Sequence, residues 1–437
     1  MNIRQGLKEF AEHIPYGIGK YLAYVPFPLR LGKAYNENVS LINRLSGDVK
    51  AEDEFIIEGL NDIVNYARNN FKCYHELYKK AGVLDLNIRS FEDFKKLPGT
   101  DKDFFRLNMP EFSGAYKLNT GGTTGSPFMF YTDKNCWARE WAHMHRIWAS
   151  LGYDYRIPKM TLRGKNIGNR NYIYNPVHNE FILNTYKPFT ELEADILYII
   201  KKCGVKYLHG YPSTVYNFIC EAEEKYSEEE ISSLFSGLKG LLLSSEYPHP
   251  YMTDKFDKYG LPFVSWYGHS EMCVLAYNKG KFHNLYEPFA TYGYAEVSGN
   301  GHLFGTSYRN YDMPLIRYDT GDLVKCEKTT ESGRCSAFSV TAGRSGDFVT
   351  DSEGKMISLT ALIFGRHHRA FDYARFIQVS QKVPGKMTVY MVPSGKGEFV
   401  PEQLFDMTNI SVDCDYRIIP KPILTGAGKL KLKIEEI

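Results

Sequence analysis

Leu118-Asn119-Thr120-Gly121-Gly122-Thr123-Thr124-Gly125-Ser126-Pro127 runs straight into the apolar stretch Phe128-Met129-Phe130-Tyr131. Seven of those first ten residues are Gly, Thr or Ser. Such a loop exposes backbone N–H groups and hydroxyls with little side-chain bulk in the way, which suits an anion carrying several oxygens, such as a triphosphate. Glycine permits the positive φ values that a concave turn needs. No lysine follows the last glycine, and a strand rather than a helix comes next, so this is not a Walker loop. The bland alternative is a polar surface loop between two strands.

Outward from that stretch, the pattern alternates. Apolar runs at 160–163, 181–183, 205–210, 238–244 and 263–268 read as strands, and the segments 134–151, 191–203, 213–226 and 251–259 read as helices. That alternation predicts a layered α/β core with a mainly parallel sheet. Upstream, Phe55, Ile56, Leu60, Ile63, Val64, Ala67 and Phe71 recur at helical spacing, predicting one long amphipathic helix over 52–81 that ends at Gly82. Ser90 reads as the cap of a short helix. Between 282 and 342 short strands dominate, predicting an attached antiparallel sheet or β-barrel-like region. Beyond Gly343-Arg344-Ser345-Gly346-Asp347 a hairpin is expected across Pro384-Gly385. The expected organisation is therefore a large N-terminal domain over 1–343 and a small, mobile α+β C-terminal domain over 344–437.

The 437 residues carry 53 Lys and Arg against 51 Asp and Glu, a net charge of +2. That balance gives no reason to expect nucleic acid as a partner. Hydrophobic residues make up 43% and charged residues 24%, an ordinary globular composition, while aromatics are high at 15%, which favours large apolar pockets. Eight cysteines with no CxxC pair predict reduced, mostly buried thiols and a cytoplasmic protein. Cys273, His283, Cys326 and Cys335 form a possible zinc set, but their spacing is too loose for a recognised knuckle. The N-terminus shows no secretory pattern. The aromatic run 21–31 is too short and too interrupted by Pro26 and Pro28 to span a bilayer, and it reads as a packed arm rather than a membrane-resting one. His143 and His145 are two apart on one helix and cannot chelate together, so they read as packing or surface residues.

Two stretches sit at predicted carboxyl ends of strands, where open α/β sheets bind their ligands. These are Ser244-Ser245-Glu246-Tyr247-Pro248 and Tyr267-Gly268-His269-Ser270-Glu271. Arg317-Tyr318-Asp319-Thr320-Gly321-Asp322 follows, then Gly343-Arg344-Ser345-Gly346-Asp347, and finally Gly426-Ala427-Gly428-Lys429. Together they supply an aromatic face, a carboxylate fit for Mg²⁺, a carboxylate fit for ribose hydroxyls and cations for phosphate.

In this order and spacing the stretches resemble the adenylate-forming superfamily of acyl-CoA ligases, and more closely the phenylacetate–CoA ligase branch with its capsular-polysaccharide-biosynthesis relatives. Phe94-Lys95-Lys96-Leu97-Pro98 with Asp101-Lys102, and His209-Gly210-Tyr211-Pro212-Ser213, support it. The resemblance covers roughly residues 55–437. It implies that Thr120, Gly121, Gly122, Thr123, Thr124 and Gly125 hold the ATP phosphates. Ser245 and Glu246 would border adenine, Tyr267 with Gly268 would lie against its ring, and Glu271 would bind Mg²⁺. Asp322 would hold the ribose hydroxyls, Arg344 would support ribose and phosphate, and Lys429 would reach the α-phosphate. His209 and Tyr211 would line the acid pocket. Three departures stand out: Ser126 replaces the usual Lys or Thr, Gly346-Asp347 replaces two hinge acids, and Lys431 and Lys433 leave the register of Lys429 open by two.

The implied reaction is attack of a small carboxylic acid on ATP to give an acyl-adenylate, then transfer to CoA. The enzymatic alternative is transfer to an amine, such as an amino sugar in surface polysaccharide assembly. The non-enzymatic one is an inactive nucleotide-binding scaffold, against which Lys429, Glu271 and Asp322 argue. Apart from any resemblance, Glu271 could cap a following helix and His269 could simply pack. The sequence leaves the identity of the acid and the oligomeric state open.

Overall fold

The computed structural model describes residues 14–119, 128–163, 165, 167–185, 187–244, 247–278, 284–342, 348–354, 356–363, 368–395, 397, 399–407, 410–424 and 431–435. Five parallel strands form the middle of an eight-stranded sheet. In spatial order they are Glu180–Leu183, Lys159–Leu162, Tyr207–Gly210, Gly240–Ser244 and Phe263–Gly268. Antiparallel strands finish both edges: Tyr172–Asn175 on one, Leu275–Asn278 and Glu287–Pro288 on the other. Parallel neighbours need crossovers. The helices Phe189–Lys201, Pro212–Glu223 with Glu228–Phe235, and Pro250–Lys258 provide them.

The sheet is covered on both sides, and its strands read accordingly as apolar runs; Gly240–Ser244 is buried at every position. Alternation sends Leu208, Leu241, Leu243 and Phe263 toward the crossover helices. Tyr207, Leu242 and Val264 face the other way, toward Met144, Ile147 and Trp148 of the helix Cys136–Trp148. A four-stranded antiparallel sheet follows the core, in the order Tyr294–Val297, His302–Thr306, Tyr318–Thr329, Cys335–Ala342. Bridges from Tyr286 to Phe338 and from Thr100 to Tyr318 stitch it to the rest.

The small C-terminal domain has its own core, including Val349, Leu362, Val379, Val389 and Met391. Its hairpin, Ala374–Val383 with Lys386–Pro393, turns at Gly385, whose φ is +77°. A third strand, Asp413–Ile418, adds parallel to Lys386–Pro393, a pairing the sequence reading lacked. The expected boundary at 343/344 lies outside the described residues. Phe376 and Val392 pack into the large domain's core, and Arg375 reaches Asn217 at 3.3 Å and also pairs with Glu224.

Four local readings need correction or completion. The helix expected over 52–81 is two, Val49–Asn70 and Lys72–Lys80, because Phe71 turns extended (φ −124°) and packs its ring on that of Phe112, centroids 4.9 Å apart. The helix Glu228–Phe235, with a full capping box between Ser227 and Glu230, was not read from the sequence. The arm at 21–31 buries Ala23 and Phe27 but leaves Tyr21, Tyr24 and Leu29 exposed. Among the described residues no helix is long and apolar enough to cross a membrane.

The fourth concerns cysteine. Cys326 and Cys335, expected as free thiols, form a disulfide with Cα atoms 5.8 Å apart. Their strands are neighbours, and register shifts at Cys326/Lys328 and Lys328/Thr329 bring the two together. The zinc set goes with that reading, since two of its four members are bonded to each other and His283 lies outside the described residues. Among the described residues no three His, Cys, Asp or Glu side chains are grouped to hold a metal.

Candidate active site

The glycine-rich stretch 120–127, with Thr120, Gly121, Gly122, Thr123, Thr124 and Gly125, lies outside the described residues, but both of its roots lie within them. Tyr116–Asn119 pairs antiparallel with Met129–Thr132, Asn119 opposite Met129, so the stretch connects the two strands of a hairpin. Phe128, the residue that leaves it, is fully buried. Its ring stacks on Tyr318, centroids 6.1 Å apart and planes at 20°.

Tyr318 carries the loop's root to Glu271. The Tyr318 hydroxyl donates to Glu271 Oε1 at 2.8 Å, and His269 Nδ1 lies 3.2 Å from Oε2. Glu271 is 6% exposed. Burial works against its charge, but the bond and charge of His269, then Tyr318, outweigh that and pull its pKa down to about 2. Burial likewise opposes a charge on His269; contact with the Cys273 sulfur and with Glu271 outweighs it and raises the imidazole well above its ordinary range. No helix follows Glu271. The next residue, Met272, has φ 55° and the chain turns into the strand Leu275–Asn278. Helix capping is therefore not its role, and His269 does more than pack.

Tyr267 and Asp322 are also brought together. The Tyr267 hydroxyl donates to Asp322 Oδ2 at 2.5 Å. Burial and the Asp322 charge push the phenol pKa well up, so it stays a donor. The Tyr267 ring sits edge-on to Phe338 at 5.4 Å, at the solvent-reaching end of the strand that finishes at exposed Gly268. Asp322 follows Gly321, whose φ of +77° a side chain would resist.

Arg317, in the same stretch, has a structural task. Its Nε and Nη2 donate to Glu296 at 3.0 and 2.5 Å, and Nη1 donates to the Lys95 carbonyl at 2.8 Å and to that of Leu97. This clamps the 95–97 segment beside the strand that carries Tyr318 and Asp322.

Near the carboxyl end of the strand Tyr207–Gly210, two strands across the sheet from Tyr267, His209 lies in a buried polar row. Thr161 Oγ1 donates to Glu180 Oε2 at 2.8 Å and lies 3.4 Å from His209 Nδ1. Lys159, 1% exposed, donates to the His178 carbonyl at 2.7 Å and sits 5.5 Å from the Trp148 ring centre. Gly210 is obligatory: a Cβ there would meet the Leu162 carbonyl oxygen at 2.3 Å. Tyr211 is buried beneath the Arg163 guanidinium at 5.3 Å.

Ser245, Glu246, Arg344 and Lys429 lie outside the described residues. The segment bearing Lys429 is nonetheless tied at both ends to one buried side chain. Gln378 Nε2 donates to the Ile423 carbonyl at 2.8 Å and the Lys431 carbonyl at 2.7 Å, while Ile423 N–H donates to Gln378 Oε1 at 2.7 Å. Gln378, Tyr318, Trp148 and Trp266 were missed as site residues. Tyr318 stood inside a quoted stretch, and Trp266 next to Tyr267. Gln378 gave no signal beyond being a polar residue in an apolar strand.

A large domain built on a mainly parallel sheet, an antiparallel region and a small α+β domain make up the fold of the adenylate-forming acyl-CoA ligases. Among the solved structures that resemble the chain are those of 2-hydroxyisobutyryl-CoA ligase. In the postadenylation state with R3-HIB-AMP it matches with a TM-score of 0.63 at 16% identity, over 90% of this chain and 91% of that one. In the thioesterification state with 2-HIB-AMP and CoA the TM-score is 0.53 at 16% identity, over 90% and 91%. Protein CapK of Staphylococcus aureus is 23% identical over 283 residues, 61% of this chain and 61% of its own length. The chain thus spans about three-fifths of the length of that curated relative. No family model matches the chain.

Proposed function

We propose that the protein activates a small carboxylic acid with ATP, forming an acyl-adenylate and pyrophosphate, and then passes the acyl group to CoA. The observation that carries this reading is the line Phe128–Tyr318–Glu271, which ties the root of the glycine-rich hairpin to an ionised, buried carboxylate at the carboxyl ends of the parallel strands. The substrate supplies the nucleophile: its carboxylate oxygen attacks the α-phosphorus and pyrophosphate leaves. The N–H groups of 120–125 and the Lys429 ammonium would meet the charge developing on the phosphate oxygens. Tyr267 and Asp322 would hold adenine and ribose, with Arg344, Ser245 and Glu246 around them. In the second step the CoA sulfur attacks the acyl carbon and AMP leaves. The C-terminal domain, proposed to begin near 344, would keep water from the reactive anhydride.

Glu271 fits Mg²⁺: it offers hard oxygen donors that stay ionised, and one carboxylate with substrate phosphates is a common Mg²⁺ arrangement. When bound there, the ion would neutralise phosphate charge. The ligands in the 2-hydroxyisobutyryl-CoA ligase structures, acyl-adenylates and CoA, are consistent with ATP and CoA as co-substrates here.

The second reading keeps the first step and sends the acyl group to an amine such as an amino sugar. The match to Protein CapK is the observation in its favour. ATP–pyrophosphate exchange over a panel of carboxylic acids tests the shared step. Exchange that Lys429→Ala abolishes supports it; no exchange with any acid leaves an inactive nucleotide-binding scaffold ahead. AMP release that requires CoA separates the first reading from the second.

A further inference from the structure

Three side-chain atoms on one face of the parallel sheet are buried without a hydrogen-bond partner among the described residues: Trp148 Nε1, His209 Nε2 and Ser244 Oγ. They are neighbours. The Trp148 and His209 rings lie 5.3 Å apart, and Trp266 is 5.9 Å from the first and 6.0 Å from the second, stacked on His209 at 17°. Ser244 stands opposite Trp266 in the strand register. Strand alternation explains the gathering. Leu208, Leu241, Leu243 and Phe263 take the crossover-helix face, so His209, Ser244 and Trp266 share the other, at the carboxyl ends of their strands. Folded cores rarely leave buried polar atoms unpaired, and a cluster of them marks a place completed by something else.

The hydrogen-bond chemistry of that missing group can be read. The Thr161 hydroxyl proton is committed to Glu180 Oε2 at 2.8 Å, so its oxygen can only accept from His209 Nδ1 at 3.4 Å. The imidazole proton therefore sits on Nδ1, and Nε2 is a bare lone pair. The indole Nε1–H of Trp148 can only donate. One alcohol answers both at once, giving its proton to Nε2 and accepting from Nε1. A hydrocarbon answers neither, and a carboxylate would set an acceptor against an acceptor. Trp266, half-buried, is the side of the cluster that reaches solvent.

We propose that this cluster recognises the acid's side chain and that the substrate is a hydroxy acid whose hydroxyl bridges Trp148 Nε1 and His209 Nε2. Ser244 Oγ stands ready for a second polar contact. The proposal rests on the acid-activation reading and narrows it from a small carboxylic acid to one that carries a hydroxyl.

The test uses matched pairs: lactate against propionate, 3-hydroxybutyrate against butyrate, 4-hydroxyphenylacetate against phenylacetate. Each is titrated against the full chain by tryptophan fluorescence and assayed by pyrophosphate exchange. A site built around a substrate hydroxyl rejects the analogue lacking it strongly, so at least one pair should differ by roughly 100-fold. His209→Leu should bring that ratio close to one. Trp148→Phe, which keeps an aromatic ring and loses the N–H, should reduce the ratio about tenfold. A preference seen in the titration but with no exchange refutes acid activation and leaves the hydroxyl site standing. Equal binding within every pair, as expected if a trapped water holds the two nitrogens, overturns the proposal. So does no binding of any pair, or a ratio unchanged in a folded His209→Leu protein.

Discussion

Replacing Tyr318 by Phe removes one hydroxyl and little else. The Phe128 stack, at 6.1 Å, and the Phe105 contact, at 6.0 Å, belong to the ring and persist. What goes is the 2.8 Å bond to Glu271 Oε1. A hydrogen bond to a charged group in a buried setting contributes about 1.5–3 kcal/mol. Glu271 keeps His269, so it stays ionised at neutral pH, but its oxygen loses the donor that fixes its direction. If that direction serves the reacting phosphates, the loss converts to roughly a 10- to 150-fold slower exchange at 1.36 kcal/mol per decade. The assay is ATP–pyrophosphate exchange as a function of Mg²⁺ concentration, alongside thermal unfolding. The half-saturating Mg²⁺ concentration should rise while that of the acid stays put. A folded Tyr318→Phe protein with unaltered rate and unaltered Mg²⁺ dependence would refute the view that this hydroxyl orients a metal-binding carboxylate.

Gln378→Leu should slow exchange at least tenfold with a smaller effect on acid affinity, because the clasp closing the Lys429 segment at Ile423 and Lys431 is lost; equal rates would detach that segment from catalysis. Gly210→Ala should lower the urea midpoint by the equivalent of about 2 kcal/mol or more, since a Cβ 2.3 Å from the Leu162 carbonyl forces two parallel strands apart. His143 is fully buried, bonded to Arg139 O at 2.8 Å and Thr291 Oγ1 at 2.7 Å, and burial lowers its pKa from 6.5 to about 3. A depressed folded-state value means its contribution is complete above pH 6.5 and fades as the pH falls toward 3. From pH 7 to 5 the loss is about 2 kcal/mol by linkage. His143→Gln should flatten the pH dependence of the urea midpoint by that amount, and identical slopes would contradict it.

The parallel core was legible because its strands are short apolar runs with helical segments between them, and burial on both faces leaves the sequence few other readings. Tyr267 and Glu271 were legible as candidates because they end or follow a strand, and Asp322 because its stretch fits the resemblance. Their partners were not. Tyr318 and Glu271 stand 47 residues apart, and only the pairing of the antiparallel sheet with the core brings the hydroxyl to the carboxylate. The disulfide was hidden for a similar reason: Cys326 and Cys335 meet through register shifts, which composition does not encode. Phe71 shows the limit of periodicity. Its apolar spacing fits a continuing helix, yet packing on Phe112 favours an extended residue there. Gln378 and the Trp148–His209–Trp266 cluster lay beyond reach because sequence shows which face a residue takes but not which of its polar atoms goes unanswered.

Backbone strain points to the same place as the hydrogen bonds. Among the described residues only three non-glycine positions have positive φ, and two of them, Met272 at 55° and Arg317 at 46°, each adjoin one partner of the Glu271–Tyr318 bond. Such conformations cost about 1–3 kcal/mol each and persist only where the surroundings over-determine them. At Arg317 the surroundings are plain: the paired bonds to Glu296 and the bonds to the Lys95 and Leu97 carbonyls hold the strained residue from two sides. At Met272 the N–H is held by the His269 carbonyl at 3.1 Å, and Cys273 beyond it is locked beneath Gly293 and Gly305, where any Cβ would collide with it. A chain that only needed to connect two strands could relax at both positions. That it does so at neither argues that the direction of the Glu271 carboxylate is what these contacts hold in place.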